Sequence, residues 1–159
     1  MSDQPTNRSQ RTHRSRRFLL QALCALAIGT VAALAWQVPP AGWTSNDVTT
    51  GRHPGYPDLQ PRRYDMSVEN TTTFASEALR RVPGGKVTRT VPAGGRVHGE
   101  AQVLGTPFVD DVEILVTPEN GHSLVTIRSR SRVGKGDLGV NAARIRAIQS
   151  TMDEKLPRL

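Results

Sequence analysis

The stretch VEILVTPENGHSLVTIRSR, residues 112–130, holds two runs of alternating apolar and polar residues joined at Asn120-Gly121. Alternation with a period of two marks a strand that buries one face. Asn-Gly is the dipeptide that best accepts the two positive φ angles of a type I′ hairpin. Centring the turn there fixes a register in which Val116 faces Val125 and Ile114 faces Ile127, while Glu113 meets Arg128 and Asp111 meets Arg130 on the other side. A slip of one residue would destroy the apolar and the charged pattern together.

Upstream, residues 86–91 and 96–104 read as two more strands, set off by Pro92-Ala93-Gly94-Gly95 and Gly105-Thr106-Pro107. In the second of these Val97, Ala101 and Val103 join the apolar face, and His98, Glu100 and Gln102 join the charged one. Short connections of this kind favour an antiparallel meander. The stretch TTTFASEALRRV places Phe74, Ala78, Leu79 and Val82 on one side of a helix that Pro83-Gly84-Gly85 ends. A second helix runs to about residue 156, with Asn141 as its expected N-cap and Ile145, Ile148 and Met152 as its apolar stripe. The fold class expected is α+β: a two-layer domain over residues 67–159, with a four-stranded antiparallel sheet and two helices on one face.

Residues 39–66 are rich in Pro, Gly and polar residues without an apolar period, and read as an extended linker or a strap over the domain. Before them, residues 18–38 (FLLQALCALAIGTVAALAWQV) carry no charge. At ~1.5 Å per residue such a helix spans about 31 Å, the thickness of a bilayer's hydrocarbon. Residues 1–17 hold Arg8, Arg11, Arg14, Arg16 and Arg17, and Trp36 and Trp43 lie at and beyond the far end of the apolar run. The positive-inside rule makes 1–17 a cytoplasmic tail, 18–38 a transmembrane helix preceding the domain, and the remainder exported across a bacterial inner membrane. Membrane lipid around that helix is the first expected partner. The alternative is secretion after cleavage near Ala35, because Ala33-Leu34-Ala35 resembles an A-x-A site and Ser15-Arg16-Arg17-Phe18-Leu19-Leu20 approximates a twin-arginine signal.

Charge and composition narrow the function. The chain has 21 Lys and Arg against 14 Asp and Glu, but five of the basic residues and one acidic residue fall before residue 41, leaving 16 against 13 for the rest. With aromatics at 4%, the stacking platforms of a nucleic-acid binder are missing, so no nucleic acid is expected. The lone Cys24 excludes a disulfide framework within one chain. His13, His53, His98 and His122 show no ligand spacing, and no metal or other cofactor is expected.

At this point FVDDVE (residues 108–113) followed by IRSRSRVGKGDLGVNAARI (residues 127–145) resembles the signature of the bacterial family catalogued as domain of unknown function 1499. The family's usual wording is similar to F-V-D-D-V-E, then R-S-x-S-R-V-G-x-S-D-x-G-V-N-x-x-R-I. The resemblance covers about residues 65–157 and implies a small envelope-associated or membrane-anchored domain with no established activity. Two departures stand out. HPGYPDLQP occupies the place where many members have a cysteine-containing PNCVSS, and Gly136 stands where a serine-like residue is usual.

Residues 134–139 also spell G-x-G-x-x-G. A dinucleotide loop needs a parallel strand after its helix and an acidic residue about 20 positions on; here the helix closes the chain and the preceding strand is half of a hairpin. Gly134 and Gly139 are better read as positive-φ residues in a strand-to-helix passage, with Asp137 capping backbone N–H groups or pairing with Arg132, and Gly136 is expected to tolerate serine. The function expected is a noncatalytic binding or structural module for an anionic ligand or an envelope protein. Its candidate binding residues are Arg128, Arg130, Arg132, Lys135, Asp137 and Asn141, on the charged sheet face and at the start of the last helix. The alternative is an envelope hydrolase using Glu100, Asp111 or Glu113 with His98 nearby, since two close carboxylates raise the pKa of one of them. Asp110 begins on the apolar face and needs a local partner such as Ser131.

Overall fold

The computed structural model describes residues 39–159 together with Gln21, Leu23, Leu26, Ala27 and Thr30. The expected tail of residues 1–17 lies outside the described residues, as does the apolar segment 18–38 apart from those five. Among the described residues no helix is long and apolar enough to cross a membrane.

The central hairpin forms in the expected register. Strands β5 (Val109–Glu119) and β6 (His122–Ser131) pair Glu113 with Arg128, Ile114 with Ile127 and Val116 with Val125. Asn120 and Gly121 take φ of 51° and 86°, the left-handed pair that a type I′ turn demands. Strands β3 (Gly85–Val91) and β4 (Arg96–Gln102) continue the meander, with β4 pairing with β5.

The sheet has six strands rather than four. Residues 39–66 contribute a five-residue helix α1 (Pro40–Thr44) and two three-residue strands, β1 (Asp47–Thr49) and β2 (Arg62–Tyr64). Both strands lie antiparallel along β6, β1 opposite residues 128–130 and β2 opposite 123–125. Three residues are too few for alternation to show in a sequence, and the stretch is punctuated by Pro and Gly. The pairing arises because β6 would otherwise end the sheet with a row of open backbone donors and acceptors. The strand order is β1-β6-β5-β4-β3, with β2 sharing the β6 edge with β1.

Helices α2 (Val68–Arg81) and α3 (Val140–Asp153) cover one face, α2 against β3, β4 and β5 and α3 against β6 and β1. Ala75, Ala78 and Leu79 from α2 and Ile145, Ile148 and Met152 from α3 meet Val97, Val112, Ile114, Val125 and Ile127 in one core. Ser67 caps α2, its hydroxyl accepting from the Asn70 amide at 3.3 Å. The strap is fastened from both sides. Tyr64 donates to Asp153 at 2.7 Å, and its burial, reinforced by that hydrogen bond, pushes the phenol well above its usual range.

Candidate functional site

The resembling motif lands in two places: a polar patch inside the core and the turn leading into α3. Asp110 is 1% exposed on the helix-covered face, and its partner is Arg144 rather than Ser131. Arg144 Nη2 donates to Asp110 at 2.8 Å, and Nη1 donates to Ser129 at 2.7 Å and to Asn141 Oδ1 at 2.8 Å. Ser129 donates to the same Asn141 oxygen at 2.6 Å, and the Asn141 amide donates to Ser131 at 3.0 Å and to the Asn46 carbonyl at 3.1 Å. No fully buried side-chain polar atom of this patch is left without a hydrogen-bond partner among the described residues, as burial of charge requires. Asn141 therefore locks α3 to β6 and to the residue before β1; it does not cap the helix.

The cap is Asp137. Its carboxylate accepts from the amides of Gly139 and Asn141 at 2.9 and 2.8 Å, placing a negative charge on the positive end of the helix. Gly134 and Gly139 take φ of 90° and 84°, as the strand-to-helix reading expects. Gly136 differs from expectation. A Cβ there would lie 2.4 Å from the carbonyl oxygen of Trp43 and 2.9 Å from that of Gly42, because α1 is hydrogen-bonded onto this loop through Asp137 and Leu138 amides donating to Gly42. Serine would collide with backbone, so the glycine makes room for α1. The Gly139 and Asn141 amides at the start of α3 are thus taken by Asp137.

On the opposite face β1, β6, β5 and β4 align their polar side chains in rows. Glu100, Asp111, Arg130 and Asp47 form one row, and His98, Glu113, Arg128 and Thr49 the next. The ion pairs run off these rows. Arg132 reaches Glu100 and Asp111, each at 2.5 Å, and those hydrogen bonds, Asp111 first, hold its guanidinium above its usual range. Arg128 grips Asp47 with two hydrogen bonds of 2.9 and 2.6 Å and stands 3.9 Å from Glu113. The Arg128 hydrogen bond holds the Asp47 carboxyl below the usual carboxylate range. Asp111, Glu113, Arg128 and Arg130 surround a small cleft of about 50 Å³, while Lys135 lies in the exposed loop after β6 and Arg130 makes no ion pair among the described residues. Of the carboxylates considered for catalysis, Glu100 and Asp111 share one arginine and Glu113 faces His98 across the β4–β5 pair.

Beside these rows lies a groove of about 580 Å³ whose lining includes Asp47, Arg52, His53, Arg96, His98, Glu113 and Arg128. Arg52 and His53 come from the strap just beyond β1, a region without any motif or period that would mark them as hanging over the sheet. His53 is held there by a 3.0 Å hydrogen bond to Ser45. Among the described residues Arg52 and Arg96 have no acidic partner. No cluster of three or more His, Cys, Asp or Glu side chains among the described residues could hold a metal ion.

The family model described as "Protein of unknown function (DUF1499)" matches residues 30–152, well over half of the chain. The chain belongs to that family. The match starts upstream of the stretch that carries the resemblance in sequence, taking in the strap that supplies β1, β2 and the near wall of the groove. No curated protein matches the chain. A solved structure, CalU16 from Micromonospora echinospora, is similar at 15% identity with a TM-score of 0.38, covering 59% of this chain and 82% of its own. Within this DUF1499 domain the motif residues Ser129, Ser131, Asn141 and Arg144 serve the fold, while the groove opens on the other side of the sheet.

Proposed function

We propose that this DUF1499 protein is a membrane-anchored cell-envelope protein whose residues 39–159 form a noncatalytic binding module for an anionic ligand. The observation that carries this reading is the groove over the polar sheet face, where Arg52 and Arg96 lack acidic partners among the described residues and His53 and His98 stand beside them. Arg128 spends its fork on Asp47, so it shapes the wall more than it offers charge. Unpaired guanidinium groups on a concave wall suit a phosphate, sulfate or carboxylate, which they can grip with two hydrogen bonds each. Catalysis by a carboxylate pair is disfavoured by Arg132, which ion-pairs with both Glu100 and Asp111. The module sits on the outer side of a bacterial inner membrane, with residues 18–38 as its span and residues 1–17 in the cytoplasm.

Thermal unfolding of the full chain in detergent, with pyrophosphate as the probe anion, tests the binding reading. At 100 times its dissociation constant the probe stabilises the native state by about 2.7 kcal/mol. Arg52→Ala with Arg96→Ala removes that stabilisation while Lys135→Ala keeps it. A shift that survives the double replacement, or no shift with any small polyanion, overturns the reading.

A further inference from the structure

We infer that the end of the domain built by the β4–β5 loop, the β6–α3 loop and α1 rests in the interfacial layer of a phospholipid bilayer. Seven large apolar side chains are exposed within residues 39–159, and five of them, Trp43, Leu104, Phe108, Val133 and Leu138, belong to these three segments. The antiparallel topology explains the gathering. The end of β4, the start of β5, the end of β6 and the start of α3 all lie at one edge of the sheet, so the loops joining them share that edge. Leu104 also lines a groove of about 450 Å³ with Val82, Pro83, Val140, Ala143 and Ala147, a wall almost without polar groups. The Gly42 carbonyl accepts from Leu138 at 2.8 Å, fixing Trp43 beside the loop that carries Val133 and Leu138.

What covers this edge follows from where the chain enters. Residue 38 closes the uncharged segment, and Pro39 Cδ lies only 3.9 Å from the Cβ position of Gly139, next to Val140 in the groove wall. Where residues 18–38 span a bilayer, the chain leaves it at Pro39, beside this end of the domain. Arg81 and Lys135 alongside are exposed and positive, which suits anionic headgroups at the interface, while Arg132 in the same loop is paired with Glu100 and Asp111. Tryptophan is the residue most at home at that depth. Scattered exposed apolar residues need no explanation, but a gathered set rimmed by charge marks an interaction surface.

The inference rests on residues 18–38 being a span, and one experiment separates the two. Full-length protein carrying Cys24→Ser receives a single cysteine by Leu104→Cys, Val133→Cys or, at the opposite end in the β3–β4 turn, Ala93→Cys. Each is labelled with an environment-sensitive fluorophore and reconstituted into phosphatidylcholine–phosphatidylglycerol vesicles with a lipid quencher placed just below the headgroups. Labels at 104 and 133 should be quenched several-fold more strongly than the label at 93. Equal quenching at all three positions in protein that floats with the vesicles overturns the inference and leaves the anchor standing. Protein that fails to float with the vesicles overturns both. Self-quenching at 104 that grows with the protein-to-lipid ratio, without lipid quenching, assigns the edge to a second copy of the chain and also overturns it.

Discussion

Arg144 donates to Asp110 across 2.8 Å with side-chain exposures of 6% and 2%, one helix residue and one strand residue forming an ion pair inside the core. Such a pair adds little stability over well-packed apolar side chains, but removing one partner strands the other charge away from water. Arg144→Met is therefore expected to cost ~3–5 kcal/mol in denaturant unfolding. The double replacement Asp110→Leu with Arg144→Met should cost clearly less than the two single changes together. Strict additivity would show that the two residues are not one unit.

Gly136→Ser restores the family's usual wording and yet is expected to destabilise this chain, by ~1–3 kcal/mol, because the new side chain meets the Trp43 and Gly42 carbonyls. Gly139→Val should also be costly, since residue 139 sits at φ of 84°, where a β-branched side chain is disfavoured. Thermal melts of the two variants decide the matter, and an unchanged melt for Gly136→Ser would mean that α1 does not pack as described.

Arg128 should couple to Asp47 and not to Glu113. The first pair has two short hydrogen bonds, whereas the second is a single approach of 3.9 Å. Both Asp47 and Arg128 are more than a third exposed, so after screening by water the coupling is held to ~1 kcal/mol at most. Double-mutant cycles on the two pairs provide the measurement, and a larger value for Glu113 would contradict the geometry.

The same contact sets a pH dependence. Because the Arg128 hydrogen bond lowers the Asp47 pKa in the folded state, its stabilisation is fully present above the unfolded carboxylate value of about 4 and is lost as pH falls through the lowered folded value. The Asp58 carboxyl, lowered first by its hydrogen bond from Arg146, adds in the same direction. Asp47→Asn should therefore flatten the acid limb of the stability curve and leave its shape above pH ~6 unchanged. An acid limb as steep as the parent's would remove Asp47 from the explanation.

The hairpin register was legible because two independent patterns, apolar and charged, agree only when Asn120-Gly121 is the turn. Helices α2 and α3 were legible from their stripes. The stripe of α3 also held the signal for Arg144 and Asn141: stepping back from Ile148 by helical spacing reaches both, so a polar patch beneath the helix was available to a reader who followed the face past Ile145. Strands β1 and β2 were hidden because they are too short for a period and owe their pairing to the open edge of β6. Arg52 and His53 were hidden for the same reason, their position being set by where that strap is pinned. The charged rows were predicted in register but not in pairing, since long arginine side chains reach diagonally and Arg132 takes Asp111, which alignment would give to Arg130.

Export and attachment are expected of the chain as a whole. A periplasm-active reporter fused after Leu159 should be active and should fractionate with membranes. A cytoplasmic reporter would reverse the orientation, and a released product beginning near Trp36 would replace the anchor by a cleaved signal.

The most direct test is nuclear magnetic resonance of the full chain in nanodiscs, following backbone amides and arginine Nε–H signals as pyrophosphate is added. Shifts concentrated at Arg52, Arg96, His98 and Thr126, with Gly139, Asn141 and Arg144 unmoved, are the expected result: the groove takes the ligand and the motif holds the fold. Shifts centred on residues 134–141 instead would contradict it, placing the anion on the amides that Asp137 occupies.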